Sequence, residues 1–368
     1  MENAWTEPAD YALSMTMSRF RAAIVTLIAA LTIACTAAPQ AGGGGTATPT
    51  ASATNSPAPS ASAQPSPTPS AAPQAAYLDD RTSAEQVIRS YYDAIGRRQY
   101  IRAYAYWEPS STLPTYDAFA KGFVDTTAVQ VELGTIGGGV GAGQLYWSIP
   151  AAVFATTSAG PQSFVGCYTL HLARPEIQTE PPFKPIAIQS AQLSAAASQA
   201  AARGALATTC GSANANPLPW GAPGAGIDAA HYVDDRSAGE TVITSYYNAI
   251  NRKEYSRAYG YWEPGSPQLA AFASFSAGYA NTKSVALATK PGTSDAGAGQ
   301  LYYSVPAVIT AANADGSTTT FSGCYKLHLG SPNIQATPPF QPLAIQSATI
   351  TQAASGANPT DLLSSACA

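Results

Sequence analysis

The feature that most constrains the fold of this chain is an internal repeat. Residues 79–109 match residues 234–264 without a gap at 20 of 31 positions. A repeat interval of about 156 residues is much longer than a solenoid unit, so it indicates two tandem copies of a whole domain. Three later pairs of segments recur in the same order: GAGQLYWSIPA (141–151) with GAGQLYYSVPA (297–307), GCYTLHL (166–172) with GCYKLHL (323–329), and PPFKPIAIQSA (181–191) with PPFQPLAIQSA (338–348).

Each copy opens with a helical pattern. Val87, Tyr91 and Ile95 recur at helical spacing and predict a first helix. We expect this helix to end at Gly96, where the second copy has Asn251, because both residue types tolerate the left-handed conformation after a helix. A capping box is predicted at the start of each helix, at Thr82 with Glu85 and at Ser237 with Glu240.

Strand patterns follow the helical ones. A second helix is predicted at about 99–107, ending before Pro109, and a short third helix at about 119–124, with 275–280 as its counterpart. Pro150 and Pro306 predict an edge or a bulge in the second strand. Helices followed by strands indicate an α+β fold, with two tandem cone-shaped domains of about three helices on a curved antiparallel sheet of about four strands each. The strands are predicted at 129–132, 144–155, 163–172 and 184–193, with GTIGGGVGAG as a loop.

The N-terminal region has the pattern of an export signal. Arg19 and Arg21 precede an uncharged, mostly apolar stretch at 22–33, which is too short to span a membrane. The segment ending at Cys35 resembles a bacterial lipobox, which implies lipidation of Cys35. The alternative is an ordinary signal peptide and a soluble secreted protein. The predicted organisation is a mis-assigned upstream start (1–16), a signal peptide (17–35), a disordered Pro/Ser/Thr/Ala tether (36–76), the first repeat domain (77–210), a linker (211–230) and the second repeat domain (231–368).

Composition excludes some partners and supports export. The net charge is −4 and charged residues make up 11% of the chain, so we predict no binding to nucleic acid. Apart from Cys35, the chain has four cysteines. They fall into two pairs, and the two members of each pair are 43 residues apart. The equal spacing favours the disulfides Cys167–Cys210 and Cys324–Cys367, although three pairings are formally possible. No CxxC motif occurs and the three histidines do not cluster with cysteine, so no metal site is predicted.

The order of elements resembles the nuclear transport factor 2-like superfamily. The segment YYDAIGRRQYIRAYAYW, a long helix broken at Gly or Asn and followed by an aromatic second helix, is similar to the opening of many such domains. The resemblance covers each repeat and implies a cone with a pocket between helices and sheet. The superfamily includes ketosteroid isomerases and SnoaL-like cyclases as well as non-catalytic binding domains, so the fold does not select an activity.

Residues for catalysis are hard to find in both copies. Isomerase-type members use a tyrosine of the first helix, which falls at Tyr91 and Tyr246, together with an acidic base. Asp93 becomes Asn248 in the second copy, and an amide cannot replace a general base. Glu108 and Glu263 occur in both copies, and we expect them to form structural ion pairs, with Arg102 and Arg257 or with another basic group.

The strand histidines and the aromatic residues are interpreted as structural. His171 and His328 are predicted to be solvated or simply hydrogen-bonded, because no carboxylate lies near them in the sequence. No nucleotide-binding or hydrolase motif occurs, and no cofactor is predicted. The candidate residues lining the cone are aromatic: Tyr91, Tyr104 and Trp107 in the first copy, and Tyr246, Tyr259 and Trp262 in the second.

The sequence therefore favours a bacterial lipoprotein on the outer face of the cell membrane, anchored in the membrane through Cys35. Its two domains would bind a small apolar ligand or a cell-envelope protein without catalysis. Two alternatives remain: an isomerase- or cyclase-like enzyme that uses the tyrosine of the first helix, and a structural spacer that presents a surface. A carboxylate facing Tyr91 or Tyr246 would favour the enzyme, an open apolar cone would favour binding, and a filled cone would favour the spacer.

Overall fold

A computed structural model describes residues 77–211 and 226–368 of the chain. The predicted signal peptide, Cys35 and the tether lie outside the described residues, as does most of the predicted linker. The α+β class is confirmed, because two antiparallel sheets are each preceded by helices. Each sheet has five strands where about four were predicted.

The two repeats contain the same elements in the same order. The first repeat contains α1 (Ala84–Gly96), α2 (Tyr100–Tyr104), α3 (Tyr116–Lys121), β1 (Thr126–Leu133), β2 (Gly137–Gly141), β3 (Gln144–Thr157), β4 (Gly160–Ala173), β5 (Ala187–Ala196) and α4 (Gln199–Ala205). The second repeat contains α5 (Gly239–Asn251), α6 (Tyr255–Tyr259), α7 (Phe272–Ala277), β6 (Thr282–Thr289), β7 (Thr293–Gly297), β8 (Gln300–Asn313), β9 (Thr318–Gly330), β10 (Ala344–Gln352) and α8 (Pro359–Ser365).

The additional strand comes from the glycine-rich segment that was predicted to be a loop. β2 pairs with the start of β3, through a tight turn in which Ala142 and Gly143 have φ values of 47° and 77°. In a two-residue hairpin, a turn of this kind matches the right-handed twist of the two strands that it joins. The strand was missed because glycine is depleted in strands and has no side chain to show alternation.

Pro150 lies in a central strand, so the edge prediction was wrong. The sheet order is β1–β3–β4–β5, and β2 also pairs with β3. On one side of β3, Leu133 at the end of β1 pairs with Ala151, and Gly137 at the start of β2 pairs with Ser148. Pro150 lies between Ser148 and Ala151, where β3 faces the gap between β1 and β2. Its missing backbone N–H therefore breaks no strand pairing on that side. Pro306 has the same position in the second sheet.

The helix ends differ from the prediction in two ways. The residues with positive φ after α1 and α5 are Arg98 (58°) and Lys253 (60°), not Gly96 and Asn251. The amide of Asn251 instead bonds the backbone of Val285 in both directions, at 2.9 and 2.7 Å. The second helices are also shorter than predicted, because the chain leaves α2 at Tyr104.

The predicted capping residues connect the two repeats. Ser83, not Thr82, caps α1 and accepts a hydrogen bond from the backbone N–H of Gln86. The hydroxyl of Thr82 accepts from the N–H of Asp234 at 3.1 Å. In the reciprocal contact, the hydroxyl of Ser237 accepts from the N–H of Asp79 at 2.8 Å. The capping-box interpretation was therefore wrong at both positions.

These contacts belong to a reciprocal interface between the two repeats. Asp80 and Asp235 form an antiparallel bridge. Arg81 N–H donates to the carbonyl of Asp234 at 2.7 Å, and Arg236 N–H donates to the carbonyl of Asp79 at 2.8 Å. Each contact from the first repeat to the second is matched by the equivalent contact from the second to the first. The interface therefore has the form of an isologous dimer contact within one chain.

The cores also cross the boundary between the repeats. Ile101 of the first repeat is 1% exposed and belongs to the core of the second, whereas Tyr232 packs in the core of the first. The described repeats therefore share buried surface.

The first repeat buries one arginine completely. Arg102 is 0% exposed, and its Nη2 lies 2.5 Å from Asp93 Oδ2. Its Nη1 also donates to the carbonyl of Leu78. Since an unpaired buried charge is costly, the carboxylate of Asp93 is a structural partner of this arginine.

The second repeat buries the matching arginine with a different carboxylate. Asn248 takes the place of Asp93 and accepts from Arg257 Nη2 at 2.8 Å. Glu254, which replaces Gln99, provides the anion, with its Oε2 2.6 Å from Arg257 Nε. The loss of Asp93 in the second copy is thus offset by a carboxylate gained six residues later.

Each repeat is closed by one disulfide. Cys167 of β4 is joined to Cys210, and Cys324 of β9 is joined to Cys367. This is the pairing that the equal spacing predicts. The bridges tie the segments after β5 and β10, including α4 and α8, back to their sheets.

Candidate functional site

The side of each sheet that faces the helices is filled with tyrosine rings. Tyr91 is 3% exposed and lies edge-on to Trp107 and Tyr168, at centroid distances of 6.1 and 6.4 Å. The neighbouring Tyr92 shares a hydrogen bond with the hydroxyl of Tyr168 at 2.5 Å. Burial raises the pKa of Tyr91 well above its ordinary value, so this phenol stays neutral across physiological pH.

The second repeat has the same arrangement. Tyr246 is 2% exposed, packs against Trp262, and shares a hydrogen bond with the hydroxyl of Tyr279 at 2.5 Å. Tyr247 and Tyr325 share another at 2.5 Å. In the second repeat, the tyrosine expected to act as an oxyanion donor therefore has a second phenol as its partner, whereas the first repeat has Phe123 at the position of Tyr279. A carboxylate would be needed there for isomerase chemistry.

Two of the predicted lining residues lie elsewhere. Tyr104 packs against Tyr116 and Phe119 of α3, and its hydroxyl donates to the carbonyl of Pro114 at 2.8 Å. Tyr259 is placed in the same way against α7. The structure thus brings together Tyr91 with Trp107, and Tyr246 with Trp262, and places Tyr104 and Tyr259 between the second and third helices.

Buried carboxylates near these rings have structural partners. The hydroxyl of Tyr106 donates to Asp79 at 2.5 Å, and that of Tyr261 donates to Asp234 at 2.7 Å. Both aspartates also take part in the contact between the repeats. Their hydrogen bonds connect the segments that follow α2 and α6 to the interface.

The opposite face of the first sheet carries a polar cluster around His171. Glu108 Oε1 lies 2.5 Å from Nδ1 of His171, and Gln144 Oε1 lies 2.7 Å from its Nε2. The ring of Tyr146 stacks on the imidazole at a centroid distance of 4.9 Å. A hydrogen-bonded histidine was predicted, but without a carboxylate nearby. Glu108 reaches it because the chain after Trp107 runs along the edge of β5.

The second repeat repeats this outer cluster. Glu263 Oε1 lies 2.8 Å from Nδ1 of His328, and Gln300 Oε1 lies 2.7 Å from its Nε2. Tyr302 stacks on the imidazole at 4.9 Å and remains 40% exposed. The expected pairing of Glu108 and Glu263 with a basic group is met by histidine, and not by Arg102 or Arg257.

The outer cluster holds its rings in fixed positions. Both nitrogens of each histidine are engaged by side-chain oxygens, which leaves neither free for a metal ion. Among the described residues, no group of three or more His, Cys, Asp or Glu side chains is arranged to bind a metal. The arrangement positions a partly exposed tyrosine ring on the sheet surface.

The two outer faces differ beside this shared cluster. In the second repeat, Tyr302 borders a shallow depression of about 290 Å³, lined also by Thr293, Ser294, Asp295, Ser304, Lys326 and Gln346. Strand register places Gly137 and Gly139 of the first repeat where the second has Thr293 and Asp295. Thr169 likewise takes the place of Lys326. Only the second repeat therefore combines a carboxylate and an ammonium group beside the tyrosine.

The described part of the chain contains no helix that is both long and apolar enough to pass through a membrane.

No family model matches the sequence, and no curated protein matches it. Among solved structures, an Ntf2-like protein involved in plasmid conjugation aligns with 71% of this chain and 96% of its own, at 10% identity and a TM-score of 0.18. A similarity this low supports no inference about the fold or the function of this chain.

Proposed function

We propose that this chain is a lipid-anchored, extracytoplasmic binding protein without catalytic activity, built from two NTF2-like repeats. The observation that carries this proposal is the distribution of polar groups. Tyrosine hydroxyls on the helix-facing side of each sheet bond one another, whereas the opposite face presents exposed tyrosines on a fixed His–Glu–Gln support. The order of helices and strands in each repeat agrees with the resemblance drawn from the sequence.

The proposed binding surface is the outer face of the sheets, not the cone. A small apolar ligand in the cone would have to displace paired phenols such as those of Tyr92 and Tyr168, which are 7% and 2% exposed. Tyr146 and Tyr302 are 38% and 40% exposed and can contact a partner directly. Aromatic residues of this kind are enriched at binding surfaces because they provide a large apolar area with one polar group.

A spacer that only presents the repeats is the second candidate. It is favoured by the same tyrosine filling, since a helix-facing side packed with buried tyrosines needs no ligand. The two candidates differ in whether the outer face is used. If the outer face binds a partner from the cell envelope, the Tyr146→Ala/Tyr302→Ala variant should lose that partner. If the protein is a spacer, the variant should keep it.

The anchor is tested separately. We expect the wild-type chain to partition with membranes and to carry a lipid on Cys35, whereas Cys35→Ser is released into the soluble fraction. Mass spectrometry of the mature N-terminus identifies the lipid, and Cys324→Ser serves as a control that keeps the anchor. A Cys35→Ser protein that remains acylated in the membrane would contradict the lipoprotein part of the proposal.

A further inference from the structure

The depression on the second sheet combines groups of complementary hydrogen-bonding character. Asp295 on β7 pairs in register with Tyr302 on β8, and Ser304 pairs with Lys326 on β9. The carboxylate accepts hydrogen bonds, the ammonium group donates them, and hydroxyls of Ser304 and its neighbours do both. The lining therefore offers an acceptor and a donor on either side of an aromatic ring.

The tyrosine of this depression is held in place before any ligand binds. Tyr302 stacks on His328, whose own ring is fixed by Glu263 and Gln300. Fixing a contact side chain in advance reduces the entropy lost on binding. The Lys326 ammonium is also positioned, by a hydrogen bond of 2.6 Å to Ser304 Oγ.

We propose that this depression binds an N-acetylated sugar unit of a glycan. One face of a pyranose ring is apolar and can lie on Tyr302, while its hydroxyls meet the hydroxyl and amide groups of the lining. The acetamido N–H is matched by the carboxylate of Asp295, and the acetamido oxygen is matched by the ammonium group of Lys326. The inference rests on the proposed binding function and names its ligand class.

The size of the depression agrees with a single sugar unit. Its volume of about 290 Å³ lies just below the range of ligand sites, roughly 300–1,000 Å³. The site is open and shallow, so we expect weak affinity, on the order of millimolar Kd, with selectivity from the acetamido contacts. A repeating glycan would supply many such units near a tethered protein, which raises the occupancy of a weak site.

The first repeat provides a matched internal control. It keeps the His171 cluster and the exposed Tyr146, but it has Gly139 where the second repeat has Asp295 and Thr169 where it has Lys326. If the tyrosine on its histidine support were sufficient, both repeats would bind. If the charged pair is required, as we propose, only the second repeat binds.

Calorimetric titration of the full chain in detergent tests this inference. The probe is the β-1,4-linked tetrasaccharide of N-acetylglucosamine, with cellotetraose as the analogue that lacks acetamido groups. We expect the N-acetylated probe to bind at least tenfold more tightly than cellotetraose. Tyr302→Ala, and separately Asp295→Gly/Lys326→Thr, should each weaken binding at least tenfold, and Val124→Ala, at an exposed position outside the proposed binding surface, should leave it unchanged.

The possible outcomes separate this inference from the proposed function. No measurable binding of the N-acetylated probe, equal binding of the two probes, or undiminished binding by Asp295→Gly/Lys326→Thr would each overturn the saccharide site. The lining residues exchanged in that variant are exposed, so its fold is expected to persist, and circular dichroism verifies this. Cleavage of the bound tetrasaccharide, detected by chromatography, would instead overturn the non-catalytic function and support recognition of the sugar. A membrane-anchored chain that binds neither probe overturns this inference alone.

Discussion

The relocated carboxylate beside the buried arginine of the second repeat permits a double-substitution test. Glu254 is 4% exposed and its carboxylate bonds both Arg257 and Arg252, at 2.6 and 2.7 Å. In Glu254→Gln, the Arg257 guanidinium stays buried without an anionic partner. Removing one partner of a buried ion pair costs about 3–5 kcal/mol. For a unit of this size, the loss lowers the unfolding temperature by on the order of 10 °C.

The first repeat shows how the loss can be repaired. There, Asp93 takes the position of Asn248 and lies 2.5 Å from the buried Arg102. Asn248→Asp added to Glu254→Gln returns a carboxylate to the side of Arg257, but its second oxygen then faces the carbonyls of Asp228 and His231, to which Asn248 Nδ2 donates. We therefore expect the double variant to recover part of the lost free energy of unfolding. Urea unfolding followed by tryptophan fluorescence measures it, and Asn248→Asp alone is the control, which should not stabilise the protein. A double variant that unfolds at the same urea concentration as Glu254→Gln would refute the reasoning.

Three further predictions concern the interface, the aromatic core and the disulfides. Burial, with help from the nearby Asp235 and Asp234, raises the pKa of Asp80 from 3.8 to about 6. Because the folded state favours the protonated form of Asp80, this group stabilises the protein fully below its unfolded pKa of 3.8, and the contribution is lost as the pH rises through about 6. Asp80→Asn should therefore stabilise the protein at about pH 7.5, by up to ~3 kcal/mol, and have little effect near pH 4; thermal melts at both values check this. Trp107→Ala should lower the free energy of unfolding in urea by up to about 3 kcal/mol, less than for a fully buried aromatic because the ring is only partly buried where it packs against the core, and an unchanged midpoint would assign the ring to a site. Cys167→Ser should lower the free energy of unfolding by about 2–5 kcal/mol relative to the oxidised wild-type protein. Non-reducing peptide mapping of the wild-type protein should yield no peptide that joins residues 167 and 324.

The sequence predicted the features that depend on order and spacing. The repeat, the helix-then-strand order and the cysteine intervals are local or periodic, so the α+β class and both disulfides could be derived without coordinates. The glycine-rich strand β2 could not, because its pairing depends on the partner strand and on the turn at Ala142–Gly143.

The outer clusters were missed because they depend on tertiary contacts. Glu108 and His171 are 63 residues apart, and their meeting requires the chain after α2 to run along the edge of β5. The available signal was that both residues, and Gln144 and Tyr146, recur in the second copy. From the sequence alone, the exchange of Asp93 for Asn248 argues only against a general base at this position, because the compensating role of Glu254 depends on the burial of Arg257.

The reciprocal contact between the repeats affects how the protein behaves on dilution. An isologous dimer of separate chains dissociates when its concentration falls, and its stability is tied to that concentration. Here the two halves are joined covalently, so the effective concentration of one for the other is fixed by the connecting segment. The paired state is therefore kept at any concentration of the protein. Because the halves are parts of one sequence, a substitution such as Asp295 can arise on one side without being imposed on the other.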